Sequence, residues 1–358
     1  MKKKLKALVP ILTIASMIVG CSADTTLKND TTGTITPTDA PTTDASESTS
    51  GSDASSNASS AASSESVSSS DASTLASTSS ASSESSTESA TNYDSSIPTV
   101  VFLGDDQFDL GRSGNTSIAD YVESLLGTKA NVINLGCTGV TATTALGTDN
   151  DTGMNFVNVA KFLNGEMDDT FFNNFPDAKS EAFIFDPADV DFYVVEYGIN
   201  DFLQVKDLSN DVKTSDTTCY TNAIATGLGL LVQASPNAKI VLCSPVYSMF
   251  YAEDGSSLGS GHVYSNTFGK YMDYCAGCVQ QSSLYDCISF DAFGDAYMNI
   301  NDQTFSEYMQ DDGIHLTRAG RNTFAAVVAH MINKQLGLDD TEIEIAYDID
   351  DYKLDSEK

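Results

Sequence analysis

Residues 99–107 read Thr-Val-Val-Phe-Leu-Gly-Asp-Asp-Gln, an apolar run of β-branched and aromatic residues that ends in a glycine and two carboxylates. A short run of this kind between turn formers favours a strand buried on both faces, as in a parallel sheet covered by helices. In open sheets of that type, ligands bind just beyond the carboxyl ends of the strands. Gly104 to Gln107 would lie there.

Further strands are expected at 131–135, 191–197, 239–244 and 287–290, each short, apolar and bounded by turn residues. Ser117 is a helix N-cap ahead of Ile118, Tyr121, Val122 and Leu125, and Gly127 closes that helix. Helical spacing recurs over 156–163, 218–233, 265–280 and 318–336. Strand and helix alternate, as βαβ units require. The rest of 148–190 reads as an acidic, aromatic insertion that walls a substrate cleft, and the Gly- and Ser-rich 245–264, with His262, as a loop at the same end of the sheet. Residues 341–347 alternate Glu with Ile or Ala, which suits an edge strand or part of an acidic tail over 339–358.

Ahead of this region the chain changes character. Residues 1–20 combine a lysine-rich start with an apolar stretch too short to span a bilayer, the form of an export signal. Ile18-Val19-Gly20-Cys21 looks like a bacterial lipobox, so a lipidated Cys21 anchoring the protein to the outer side of the cell membrane is expected. Residues 21–96 are dominated by Ser, Thr and Ala and have too few large apolar side chains to offset ordering entropy. They read as a disordered tether between the anchor and a domain over 97–338.

The chain has 50 acidic and 18 basic residues and a net charge of −32. That excess argues against nucleic acid as a partner, since binding it depends on neutralising phosphates with Lys and Arg. Seven cysteines include Cys275-Ala-Gly-Cys278, which lacks a second pair or a nearby His and falls in the helix expected before the last strand. Buried cysteines on a helix face are the expectation there, with a metal or disulfide as the alternative.

Four loops come after strands in a recognisable order: Gly104-Asp105-Asp106, Gly136-Cys137-Thr138-Gly139, Gly198-Ile199-Asn200-Asp201, and Asp312-Gly313-Ile314-His315. Together they resemble the four sequence blocks of the SGNH (GDSL-type) hydrolases. The resemblance covers residues 98–336 and implies a flavodoxin-like three-layer α/β/α sandwich with a mainly five-stranded parallel sheet. It implies no cofactor. It also implies an oxyanion hole formed by the amides of residue 106 and Gly139 with the side chain of Asn200, and an acid-base pair of Asp312 and His315. Members hydrolyse carboxylic esters, so an ester-bearing carbohydrate or small molecule is the implied substrate, and for a tethered surface protein a carbohydrate esterase is the best match.

At the position of the family's nucleophilic serine this chain has Asp106. A carboxylate attacks ester carbonyls poorly and would form an anhydride. Its charge sits where an oxyanion must develop and favours imidazolium at His315, and a cation cannot act as a general base. Three readings are open: a hydrolase using Asp106 as base or as nucleophile toward a substrate suited to a carboxylate; a pseudoenzyme binding a surface glycan or protein; and a glycosidase using Asp106 and Asp312 as paired carboxylates. His330, within the last helix, is expected to be packed or solvated.

Overall fold

β1 (Thr99–Gly104) is buried along its whole length. Residues of both parities are covered, so the sheet must be covered on both faces. The computed structural model describes residues 93–145, 151–294, 296–342 and 347–354. The expected signal segment, Cys21 and most of the tether lie outside the described residues. Tyr93 and Asp94, at the end of the expected tether, already contact the domain: Tyr93 packs against the core, and Asp94 and Asn131 exchange a main-chain to side-chain pair of hydrogen bonds at 3.0 and 2.8 Å.

The chain continues through α1 (Asp106–Asp109), α2 (Ile118–Leu126) and β2 (Asn131–Asn134). Next come α3 (Phe156–Leu163), α4 (Pro176–Glu181), β3 (Phe192–Glu196), α5 (Ile199–Leu203), α6 (Tyr220–Ala234) and β4 (Lys239–Cys243). The last part holds β5 (Met249–Tyr251), β6 (Ser257–Ser260), α7 (Tyr271–Leu284), β7 (Ile288–Phe290), α8 (Phe305–Tyr308) and α9 (Arg318–Gln335).

Five strands form one parallel sheet in the order β2-β1-β3-β4-β7. Helix α2 packs with α9, and α6 packs with α3 and α7, giving the helical layers of a flavodoxin-like α/β/α sandwich. This is the fold that the SGNH resemblance implies. The strand order reverses between β1 and β3, and in such sheets the crevice at that reversal is where ligands bind.

A chain of aromatic rings fixes α1 at the end of β1. Phe108 of α1 packs edge-on against Phe102 (5.1 Å) and Phe324 (6.1 Å), and Phe324 lies 4.6 Å from Phe290 of β7. Gly104 permits this approach, since a Cβ there would lie 2.4 Å from the Phe108 ring. Phe108 is fully buried; truncation to Ala would cost about 3–5 kcal/mol and release α1 from the sheet.

Three expectations need correction. Within the stretch read as an insertion walling a cleft, the expected helix α3 belongs to the core rather than to a wall: it is buried almost all round, Phe156 stacks on Tyr197 at 5.0 Å, and Gly227 of α6 has no Cβ to collide with the Phe156 ring. The loop expected over 245–264 contains the antiparallel β5–β6 hairpin. The helix expected from 265 begins at Tyr271, because Asn266 folds its side chain onto the amides of Phe268 and Gly269 and closes a turn first. Cys275 and Cys278 are buried free thiols on that helix, donating to the carbonyls of Pro245 and Cys243. At the C-terminus Tyr347 bridges Met298, and Ile349 is buried.

Candidate active site

Asp106 opens α1 at the carboxyl end of β1, beside the loops that leave β2 and β3. Its Oδ2 accepts from the Gly139 amide at 3.0 Å and from the Asn200 side-chain amide at 2.5 Å. Its Oδ1 lies 3.6 Å from His315 Nε2, and the other imidazole nitrogen, Nδ1, is 2.6 Å from Asp312 Oδ2. Asp312 is fixed in turn, because its Oδ1 accepts from the amides of Ile314 and His315, both at 3.0 Å. The five residues singled out from the sequence, Asp106, Gly139, Asn200, Asp312 and His315, therefore converge on one point. Gly136 turns its amide to the Asn134 side chain instead.

The charges are set by this geometry. Burial alone would raise the Asp106 carboxyl, but the neighbouring His315 and the hydrogen bonds from Asn200 and Gly139 outweigh it and hold the group below the ordinary range. Asp106, and then Asp312, draw His315 up to about 9 against the loss of hydration. Near neutrality the centre is therefore an imidazolium between two carboxylates. Burial opposes ionisation of Asp312 too, and the bonds from His315 overcome it.

Beneath the site, Asp105 is completely buried. It caps α1 through the Gln107 amide (3.3 Å) and accepts from the Gly198 amide (3.4 Å). Burial, followed by the Asp106 charge, lifts it to about 7. Glu196 at the end of β3 is equally buried beside it, its carboxyl oxygens accept no hydrogen bond, and burial with the neighbouring Asp105 charge pushes it well above the carboxylate range. Burial of this kind disfavours ionisation, most strongly at Glu196, which limits the charge packed under Asp106.

Three positioning residues were not given roles from the sequence. Gln107 brackets the histidine, donating to the Ile314 carbonyl at 2.6 Å and accepting from the Leu316 amide at 3.2 Å. Asp201, fully buried, accepts from the amides of Ala142 and Thr143 at 2.8 and 3.1 Å and so ties the loop after β3 to the loop carrying Gly139. Arg112 reaches the carbonyls of Asn134 and Gly136 and the carboxylates of Asp109 and Glu181. Asp201 directly succeeds Asn200 in the third block, so its neighbourhood was visible though its task was not. The partners of Gln107 are more than two hundred residues away, and no local pattern announces them.

His262 is not brought to this centre by any contact; it stands against the rings of Phe293 and Tyr247. His330 bonds Tyr347 and the Thr341 carbonyl at the far end of α9. Ser117 is spent as the α2 cap and bonds Asp120, so it offers no replacement nucleophile. Among the described residues no group of three or more His, Cys, Asp or Glu is placed to hold a metal ion, and no helix is long and apolar enough to cross a membrane.

No protein-family model matches the chain, and no curated protein matches it. Solved structures similar to it include a carbohydrate acetylesterase family member from Sinorhizobium meliloti, with 17% identity over 68% of this chain and 100% of that one and a TM-score of 0.41. A second is Est24, a carbohydrate acetylesterase from the same organism, at 13% identity, covering 66% and 99% with a TM-score of 0.42. A third is described as a possible lipase from Chitinophaga pinensis, at 15% identity, covering 67% and 99% with a TM-score of 0.45.

Proposed function

We propose that the protein is a lipid-tethered, extracytoplasmic relative of carbohydrate ester hydrolases in which serine-type acyl transfer is disabled and the old crevice serves to bind a surface glycan or related ligand. One observation carries this reading: Asp106 places its own carboxylate oxygen on the two donors, Gly139 and Asn200, that a substrate oxyanion would need. An ester carbonyl approaching that point meets a negative charge and finds its hydrogen bonds taken. His315, drawn up to about 9, holds a proton at neutral pH and cannot activate a hydroxyl or water. Loss of a triad nucleophile costs on the order of a million-fold, and here the residual contribution of the oxyanion site is lost as well.

The test is hydrolysis of p-nitrophenyl acetate and acetylated xylan by the full-length protein and its Asp106→Ser and Asp106→Ala variants. The expected result is activity in the serine variant alone. Turnover by the native protein at the rate of the serine variant would overturn the reading. Calorimetry of the native protein against a panel of acetylated and unacetylated polysaccharides tests the binding role, and no heat with any of them would remove its glycan form.

A further inference from the structure

The arrangement that obstructs acyl transfer is suited to a different reaction. The two oxygens of Asp106 are inequivalent: Oδ2 is held by Gly139 and Asn200, whereas Oδ1 stands 3.6 Å from His315 Nε2, beyond hydrogen-bond reach, on a side chain that keeps 13% of its surface exposed. A carboxylate is a poor reagent for an ester carbonyl but an established covalent nucleophile when the product is an ordinary ester. We propose that Asp106 is a nucleophile toward saturated carbon, and that the site hydrolyses small primary alkyl compounds whose leaving group departs as a stable anion, such as alkyl halides.

The steps balance. A lone pair of Oδ1 forms the bond to carbon as the carbon–halogen bond breaks, and halide leaves for solvent. Asp106 is then a neutral ester whose carbonyl oxygen, Oδ2, already lies on the Gly139 and Asn200 donors. With the Asp106 charge gone, His315 loses the partner that contributes most to holding its proton. It releases that proton and becomes a base only after the intermediate has formed. Water then attacks Cγ and gives its proton to His315, while the carbonyl pair moves onto Oδ2 between the two donors. Collapse restores the carbonyl, breaks the Cγ–Oδ1 bond and returns the proton from His315 to the departing alkoxide. The remaining carboxyl ionises onto His315 and regenerates the starting ion pair. The sum is alkyl halide plus water giving alcohol, halide and a proton. Oδ1 leaves in the alcohol and is replaced by the oxygen of water.

This inference depends on the placement of Asp106 in the native protein. The serine variant that tests the acyl-transfer reading uses a different substrate and readout, so either can fail alone. The experiment incubates the full-length protein with 1-bromopropane, follows bromide release, and maps adducts by peptide mass spectrometry so that alkylation of the free cysteines is counted separately. Native protein should release bromide catalytically, with Asp106→Ala at background. His315→Gln should slow hydrolysis of the intermediate about a hundredfold and accumulate one propyl group on Asp106. In a single turnover in ¹⁸O-water the propanol should be unlabelled and the label should appear in Asp106. Bromide release no faster than in Asp106→Ala, adducts confined to cysteine, or labelled propanol in the first turnover would each overturn the proposal.

Discussion

On one side of Asp106, the backbone carrying Gly139 and Asn200 is pinned by two buried carboxyl groups and a half-buried guanidinium: Asp201 holds two amides of one loop, Asp105 one of the other, and Arg112 two carbonyls. On the opposite side, His315 and Asp312 stand on a partly exposed turn, with 28% and 44% of their side-chain surfaces open. That turn is tied to the sheet end by Gln107 and to the β5–β6 hairpin by the bond from the Met249 amide to the Gly313 carbonyl. The donor side is thus set before any ligand arrives, while the acid-base side takes its state from the charge it faces. Rigid donors cost nothing to reorganise, and the histidine's proton is decided by its neighbour.

The sharpest way to break this contrast is to place a serine at position 106 and then remove a donor. In an Asp106→Ser background, Asn200→Ala should lower kcat for p-nitrophenyl acetate about 10²–10³-fold. An unchanged kcat would mean that this amide is not aimed at the developing charge. A smaller effect is expected from the scaffold beneath. Asp201→Ala leaves two buried amides without acceptors, and at about 1–3 kcal/mol each it should lower the Tm by about 10 °C, measured by circular dichroism. A fall of only a degree or two would show that water or a shifted loop replaces the carboxylate.

The acid-base side is sharpened by pH. The folded-state pKa of His315 is raised from 6.5 to about 9, so its contribution to stability is complete below about pH 6.5 and is lost as pH rises through about 9. Native Tm should therefore decline across that window relative to Asp106→Ala, in which the carboxylate that contributes most to holding the proton is gone. Parallel curves for the two proteins would contradict the ion pair. The smallest change is Gly139→Ala. Gly139 sits at a φ of 78° with open space where a Cβ would go, so the cost is backbone strain of about 1–2 kcal/mol. A few degrees of Tm should be lost, and a rise would show that the loop relaxes freely.

The five-stranded sheet was legible because each strand is a short apolar run, and helices α2, α3, α6 and α9 because their apolar spacing agrees with their packing, with Ser117 marking the start of α2. The β5–β6 hairpin was not, since Ser257–Ser260 has no alternation to read and its partner strand is three residues long. The sequence-matched residues of the site could be found from their spacing after strands. Their supports were hidden where the contact is between distant segments, as for Gln107, or where a backbone carbonyl is the partner, as for Arg112. The inequivalence of the two Asp106 oxygens was also beyond reach, since it depends on a side-chain rotamer.

Beyond its α carbon, Asp106 is a methylene bearing a carboxylate, which is acetate less one hydrogen. Acetate is the acid that an acetyl ester yields on hydrolysis, so on the reading proposed above the chain holds on its Gly139 and Asn200 donors a fragment equivalent to that product. Because the fragment is covalently attached, its effective concentration far exceeds that of any free competitor, and added acetate or acetyl ester cannot displace it. Shortening the side chain in Asp106→Gly would vacate that position while leaving Gly139, Asn200 and His315 in place. Free acetate should then raise the Tm of that variant and leave the native protein unchanged.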